Sequence, residues 1–374
     1  MSIELREVKT PQELRTFVHF RQSLFKGNPY WVPPLYKNEL NTFSPGKNAA
    51  YEYSRSRQWL ALRGGEVVGR VAAILSEGHR QRWNQAYMRF GWLDFVDDAA
   101  VSSALMGKVE EWAREMGCSA VHGPLGFTDM DQAGMLVEGF EEPGTLATIY
   151  NHPYYPVHLE RLGYVKDTDW VEYELTVPAE PDAKIARLSE IILRRENLHL
   201  VIFKHKKEIL PYAKEIFALF NEGYQNLYGY VPLNDRQVES YTQQYFSFIK
   251  PEYVPLVANE EGKMVAFGIT MPSLTRAMQK ANGSLLPFGF IHLLRALKKN
   301  DRADLYLVVV KPEYQGKGVN AVLINRINEV FIQKGIRKVE SNPELETNHL
   351  VQGQWKHFEK RQHKRRRSYI KYLS

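Results

Sequence analysis

The amino-acid sequence predicts an α/β protein in which one structural unit occurs twice in tandem. Three pairs of segments resemble each other weakly and follow the same order in both halves of the 374-residue chain. They are Trp31–Pro33 with Tyr230–Pro232, the strand–turn–strand segment Trp59–Ile74 with Pro255–Met271, and the helix-plus-strand segment Leu105–Val121 with Leu323–Val339. The shared order favours tandem duplication, and a wider spacing before the third pair indicates an insertion at Ser273–Arg302 in the second copy.

Composition narrows the class of protein. The chain is longer than one ordinary domain, and 44% hydrophobic residues are enough for two cores. The charged N-terminus predicts no signal peptide, and the best apolar run, Leu285–Leu297, is short and contains His292 and Arg295. The single cysteine, Cys118, excludes an internal disulfide framework and a cysteine-based zinc cage. We expect a cytoplasmic protein that holds no metal.

The first half contains a strand that runs directly into a helix. Arg89–Val96 reads as the strand, and Asp97 or Asp98 could cap the helix that follows. This segment contains no glycine pair that could cradle a phosphate group, and the two carboxylates would repel one. The long loop Gly123–Pro156 either helps to enclose a substrate or is a plain interface loop.

A domain boundary is expected after the predicted strand Trp170–Leu175. Two prolines and acidic residues follow it in Val177–Asp182, and Ala183–Arg195 reads as a bridging helix. We therefore divide the chain into domains 1–178 and 179–374.

The second half contains the most informative motif. Leu305–Val310 has the length and β-branched content of a buried strand, and Pro312 should end it. Gly316 and Gly318 free the backbone to turn, and apolar residues recur at helical spacing from Val319 onward. A strand, a glycine-rich turn and a helix N-terminus form an anion cradle. Because Gly318 follows Lys317 where a nucleotide P-loop requires Ser or Thr, the motif is not a P-loop.

Gln315-Gly316-Lys317-Gly318, placed after a strand and a proline, resembles motif A of the GNAT superfamily of N-acyltransferases. Glu313 or Lys311 stands at the nominal Gln/Arg position of that motif, which is a mild departure. The resemblance implies two GNAT-like domains in tandem, each a mixed central sheet flanked by helices, with the first degenerate. It also implies acetyl-CoA or another acyl-CoA as co-substrate. The residues that it assigns to this ligand are Val308, Val309, Val310, Gln315, Gly316, Lys317, Gly318, Val319, Asn320 and Asn348. A glycine-rich turn without a ligand is the alternative.

For catalysis, Glu340 is the candidate base, acting directly or through a water, and Asp304 is a weaker candidate. A surface or structural role is the alternative for Glu340. The family often places a tyrosine as general acid seven residues after the asparagine that corresponds to Asn348, but Trp355 stands there. Tyr369, Tyr306 or a water could replace it.

The insertion Ser273–Arg302 bears on the substrate. Its apolar residues could admit a long acyl chain or lie on a membrane surface, or the segment could simply pack as a helix on the other half. Tyr224, Tyr228 and Tyr230 are expected on the acceptor side, with core packing as an equally ordinary explanation.

The C-terminus from Lys360 to Lys371 is strongly basic. It could bind nucleic acid or an acidic membrane, but Tyr369, Ile370 and Tyr372 interleave with the charges and favour a final strand with basic flanks.

The sequence thus predicts an N-acyltransferase, in the first place an N-acetyltransferase, that acts on a primary amine of a small molecule or lipid. One alternative is a long-chain N-acyltransferase of lipid or N-acyl amino acid metabolism that uses acyl-CoA or acyl carrier protein. Another is a non-catalytic CoA- or nucleic-acid-binding protein. We expect no stable nucleic-acid partner and a monomer or dimer, and a peripheral membrane contact stays open.

Overall fold

The computed structural model describes residues 2–246 and 248–374. The strands are β1 (Glu4–Glu7), β2 (Ser54–Arg63), β3 (Glu66–Ser76), β4 (Tyr87–Phe95), β5 (Ala120–Gly123), β6 (Met135–Glu138), β7 (Val165–Thr176), β8 (Leu198–Val201), β9 (Leu256–Asn259), β10 (Met264–Pro272), β11 (Arg302–Val310), β12 (Lys338–Glu340), β13 (Glu344–Leu345) and β14 (Lys360–Tyr372). The helices are α1 (Pro11–Leu24), α2 (Tyr36–Thr42), α3 (Glu77–Trp83), α4 (Ala99–Glu115), α5 (Tyr154–Arg161), α6 (Ala183–Arg195), α7 (Ala213–Tyr224), α8 (Asp235–Phe246), α9 (Thr275–Ala281), α10 (Gly289–Lys298), α11 (Val319–Lys334) and α12 (His349–Gly353).

The chain forms two compact units. The first unit contains residues 2–171, 275–292 and 363–374, and the second contains the described residues of 172–274 and 293–362. The boundary at residue 178, which the sequence predicts between the two repeated domains, stays a prediction.

The first unit is built on the strand order β1-β2-β3-β4-β5-β14, with the first part of β7 beyond β14. The pairs β1·β2, β2·β3, β3·β4 and β5·β14 are antiparallel, whereas β4·β5 is parallel. Helix α4 covers one face of this sheet and buries Val101, Leu105 and Val109 against Val71 and Phe90. The predicted hairpin at Trp59–Ile74 is confirmed as part of β2–β3.

A carboxylate caps the helix that follows β4. Asp98 is the N-cap of α4, and its Oδ1 accepts hydrogen bonds from the amides of Ala100 at 2.8 Å and Val101 at 3.3 Å. Since these first-turn amides are already satisfied by a negative charge, this end of α4 does not offer an anion cradle.

The second unit is built on the strand order β7-β12-β11-β10-β9-β8, in which it contains the second part of β7. Strands β11 and β12 are parallel and the pairs β10·β11 and β9·β10 are antiparallel. The core on one face joins Ile192 of α6 to Val319, Val322 and Leu323 of α11. Burial of such aliphatic side chains stabilises a fold by roughly 1.5–3 kcal/mol each. The predicted hairpin around Asn259–Lys263 and the predicted bridging helix at Ala183–Arg195 are both confirmed.

The basic C-terminus forms β14, as the strand interpretation predicted. Three charges of the part of β14 that lies in the first unit have partners in that unit: Arg365 and Arg367 form ion pairs with the buried Asp169 at 3.2 and 2.8 Å, and Lys364 donates to the carbonyl of Pro143 at 3.2 Å. Burial of those polar groups is compensated by these partners, so the run serves packing of the strand.

The insertion forms α9 and α10. None of the helices within residues 2–246 and 248–374 is long and apolar enough to span a membrane.

Candidate active site

The glycine-rich turn after β11 has the geometry of an anion cradle. The strand ends at Val310, a short 3-10 turn covers Pro312–Tyr314, and α11 begins at Val319. Gly316 and Gly318 have φ angles of +74° and +86°, which lie in the left-handed region that favours glycine. Gly318 is the N-cap of α11 and supplies no side-chain cap. The amide of Ala321 donates to the carbonyl of Gly318 at 2.8 Å, so the amides of Val319 and Asn320 and the positive end of the helix dipole are what the turn offers to an anion.

The two glycines differ in the space around them. A Cβ on Gly318 would lie 2.8 Å from Cδ1 of Ile192, whereas a Cβ on Gly316 would meet nothing within 4 Å. Gly318 is therefore needed for the packing of the turn on α6 as well as for its backbone conformation. Gly316 is needed for its backbone conformation alone.

Cationic side chains border the cradle. Nζ of Lys317 lies 3.3 Å from Glu196 and 5.0 Å from the centre of the Tyr314 ring, and the guanidinium of Arg195 donates to the carbonyl of Lys317 at 2.8 Å. Gln315 donates from Nε2 to the carbonyl of Val310 at 3.0 Å, which closes the turn. Two cations against one carboxylate leave this turn positively charged, which favours phosphate.

Strand β11 leads into this cradle with one edge uncovered. On one side β10 pairs with it from Ala303 to Val310, but on the other side β12 pairs with it only from Arg302 to Asp304. Where the strands part, Asn342, held at a φ of +60°, donates from Nδ2 to the carbonyl of Leu305. In the part of the chain that the structure describes, the edge from Tyr306 to Val309 is thus left to an extended ligand, and Gln315 occupies the carbonyl of Val310.

The three valines at the end of β11 face opposite sides of the sheet. Val308 and Val310 pack against the core beneath α6 and α11. Val309 is buried on the other face, where helix α7 approaches so closely that a Cβ on Gly223 would lie 2.5 Å from Cγ1 of Val309. The side chains fix the strand between two layers, so any ligand contact at these positions would come from the backbone edge.

Glu340, the base candidate, lies at the point where β11 and β12 separate. It pairs in register with Asp304, and both are buried. A carboxylate oxygen of Glu340 lies within 4.8 Å of one of Glu172. Tyr306 donates to Asp304 at 3.4 Å, and burial raises the pKa of this phenol well above its usual range. The two predicted carboxylates are therefore brought together.

Sequence reasoning missed a third carboxylate, Glu344 on β13. It is buried, and Nε1 of Trp355 donates to its Oε1 at 2.7 Å. Burial raises the pKa of Glu344 to about 7, although hydrogen bonds from Trp355 and Ser341 act in the opposite direction. A carboxyl with that pKa can accept a proton near neutral pH. The signal in the sequence was Trp355 itself, an indole donor where the family often has a tyrosine.

The remaining predicted positions are placed as follows. Asn348 is the N-cap of α12 and accepts from the amide of Val351 at 3.3 Å, and the first-turn residues Val319 and Asn320 follow the cradle directly. Tyr369 lies in the first unit, where it donates to Glu160 at 3.1 Å and burial raises the pKa of its phenol. Tyr230 is fully buried and donates to Asn221, so it packs in the core, and Tyr224 lies 4.3 Å from Phe220, ring centre to ring centre.

Comparison with known proteins identifies the domain that holds the cradle. Residues 213–353 match the Acetyltransferase (GNAT) family. Protein YghO of Escherichia coli is 29% identical to this chain over 353 residues, covering 92% of this chain and 89% of that protein. A protein of Caulobacter vibrioides named bacterial ceramide synthase is 24% identical over 351 residues, covering 91% of this chain and 90% of its own.

Solved structures agree on the fold. A tandem GNAT protein from the clavulanic acid biosynthesis pathway superposes on this chain with a TM-score of 0.56 at 15% identity. The superposition covers 99% of this chain and 98% of that protein's chain. A GCN5-related N-acetyltransferase from Sphaerobacter thermophilus gives a TM-score of 0.52 at 12% identity, covering 99% and 95%. The predicted fold class is confirmed. Residues 213–353 are therefore similar to the GNAT family, and the chain has the fold of the tandem GNAT proteins.

Proposed function

We propose that this protein transfers a long acyl group from acyl-CoA to the primary amine of a long-chain lipid base and forms an amide. The observation that carries the proposal is the uncovered edge of β11, which runs directly into the glycine cradle at the start of α11. The cradle suits a pyrophosphate and the strand edge suits an extended arm with amide groups. CoA has both, in that order along its length.

The chemistry needs a base and little else. The neutral amine attacks the thioester carbonyl carbon, its surplus proton passes to a carboxylate, the C–S bond breaks, and the thiolate leaves as CoA. Glu344 suits the base role because its pKa of about 7 allows it to take a proton at neutral pH. Glu340 lies at the end of β12 and is the alternative base. Backbone amides of β11 can polarise the thioester carbonyl.

Two observations favour a lipid amine over a small one. A ceramide is a fatty acid amide of a long-chain amino base, and the relative named bacterial ceramide synthase matches over 91% of this chain. Four large apolar side chains of the insertion are also more than 40% exposed: Leu286, Phe288, Phe290 and Leu294.

A donor and acceptor matrix tests the proposal. Acetyl-, octanoyl- and palmitoyl-CoA would each be combined with sphinganine or with spermidine, and both thiol release and the amide product would be measured, the latter by mass spectrometry. We expect palmitoyl-CoA with sphinganine to be the preferred pair. Turnover confined to acetyl-CoA with spermidine would contradict the lipid assignment. CoA binding without turnover of any pair would favour the non-catalytic alternative.

A further inference from the structure

The insertion presents an apolar tip on a well-anchored base. The tip consists of Leu286, Phe288 and Phe290, whose exposed fractions are 77%, 70% and 41%. Its turn is ordered by hydrogen bonds from the hydroxyl of Ser284 to the carbonyl of Leu286 at 2.9 Å and from the amide of Phe290 to the carbonyl of Leu285 at 2.8 Å. Exposure of three large apolar groups on an ordered turn is unusual for a surface that faces only water.

The base of the tip is held by the first unit. Gln279 of α9 donates to the carbonyls of Pro29 at 2.7 Å and Trp31 at 3.1 Å, and the amide of Tyr36 donates to the carbonyl of Gly283 at 3.1 Å. A Cβ on Gly283 would lie 2.5 Å from the carbonyl oxygen of Pro34. These contacts leave the tip projecting from a fixed support.

The charge of the same segment is of one sign. Residues 275–300 contain five basic residues and no acidic one. Helix α10 buries Leu293 and Leu297 but exposes Leu294, and the cations that follow, Lys298 and Lys299, are exposed as well. Apolar groups and cations in one segment match the interface of an anionic bilayer, where acyl chains accept the apolar groups and headgroups attract the cations.

We propose that this segment docks the protein on the surface of an anionic phospholipid bilayer, with the apolar tip inserted among the headgroups and the cations of the segment attracted by the lipid phosphates. This docking extends the proposed function, because a long-chain amine would reach the enzyme from the bilayer. It is measured without any substrate, so its failure and the failure of acyl transfer are distinguishable.

The test is co-sedimentation of the full chain with vesicles of phosphatidylcholine alone and of phosphatidylcholine with phosphatidylglycerol. We expect binding to the anionic vesicles that weakens as salt is raised. Leu286→Asp/Phe288→Asp and, separately, Lys298→Glu/Lys299→Glu should each lower the partition coefficient by about tenfold or more. The matched control, Val157→Asp/Val165→Asp, changes two valines of the first unit that are 63% and 58% exposed, and it should bind like the wild type.

Three results would overturn the proposal. The first is no binding to anionic vesicles, and the second is an equal loss in the control variant. The third is a change of molecular mass on Leu286→Asp/Phe288→Asp in sedimentation equilibrium without vesicles, because that would show that a second copy of the chain covers the tip.

Discussion

At the scale of single residues, the pair Glu344 and Trp355 is the feature that sets this site apart from the pattern expected from the sequence. The indole occupies the position where the family often has a tyrosine, and it donates to a buried carboxylate at 2.7 Å. The indole of Trp355 cannot titrate, and it is hydrogen-bonded to the carboxyl of Glu344, whose pKa is about 7. In the proposed reaction Glu344 accepts the proton, and the hydrogen bond from Trp355 lowers the pKa of this carboxyl.

Replacement of that carboxylate tests its role as base. In the wild type, kcat/KM should fall as the pH is lowered through about 7, because protonated Glu344 cannot accept a proton. Glu344→Gln should lose this inflection and about a hundredfold or more of kcat. The control Glu346→Gln makes the same change two residues away and should keep the inflection. If Glu344→Gln keeps the wild-type pH dependence of kcat/KM and Glu340→Gln loses it, the base is Glu340.

Stability gives an independent check on the same carboxylate. Its folded-state pKa is raised from 4.5 to about 7, so the folded state binds more protons in that window, and stability falls as the pH rises through it. Glu344→Gln removes this loss. The free energy of unfolding of Glu344→Gln minus that of the wild type should therefore increase from about pH 5 to about pH 8, by at most about 3 kcal/mol. Chemical denaturation at several pH values measures this difference. A pH-independent difference would contradict the raised pKa.

The indole can be tested through the carboxylate that it contacts. Trp355→Phe removes a hydrogen bond that stabilises the charged form of Glu344, so the pKa of Glu344 should rise further. The inflection in the rate profile should then move to higher pH, and its position in a pH series of kcat/KM is the readout. An inflection that stays in place would show that another group titrates.

At the scale of elements, the turn between β11 and α11 joins ligand binding to packing. Gly318→Ala places a Cβ 2.8 Å from Ile192 at a φ of +86° and should cost about 1–3 kcal/mol of stability. Ile192→Val deletes the clashing methyl, so the double variant should recover part of that loss. Gly335→Ala, at a φ of +71° in open space, shows the cost of the backbone conformation alone. Additive losses in a denaturation double-mutant cycle would contradict the contact.

The elements themselves were largely predictable. The strand before Pro312, the helix from Val319 and the bridging helix Ala183–Arg195 follow from local patterns of apolar residues, proline and glycine. The uncovered edge of β11 was not predictable from composition, because it depends on where β12 stops pairing. The raised pKa of Glu344 was not predictable either, since burial is a tertiary property.

At the scale of the whole molecule, the two copies differ at the helix that should receive phosphate. Asp98 occupies the first-turn amides of α4 with a carboxylate, whereas Gly318 leaves those of α11 without a side-chain cap. Of these two helices, α11 is therefore the one that begins with a cradle suited to an anion. We predict one CoA per chain, and Asp98→Gly should not create a second site, because the strand before α4 lacks the glycine turn. A second molecule of CoA bound to the wild type would contradict this.

The central claim is that the cradle at Gly316 binds CoA, and calorimetric titration of CoA tests it most directly. Gly316→Asp and Gly335→Asp both place a carboxylate on a residue with a φ near +70° and no neighbour within 4 Å, at opposite ends of α11. A loss of CoA affinity that comes from the backbone conformation alone should therefore be the same in both variants. We predict one site per wild-type chain, a dissociation constant raised by about tenfold or more in Gly316→Asp, and an unchanged constant in Gly335→Asp. Equal affinity in the two variants, or no binding to the wild type, would contradict the account.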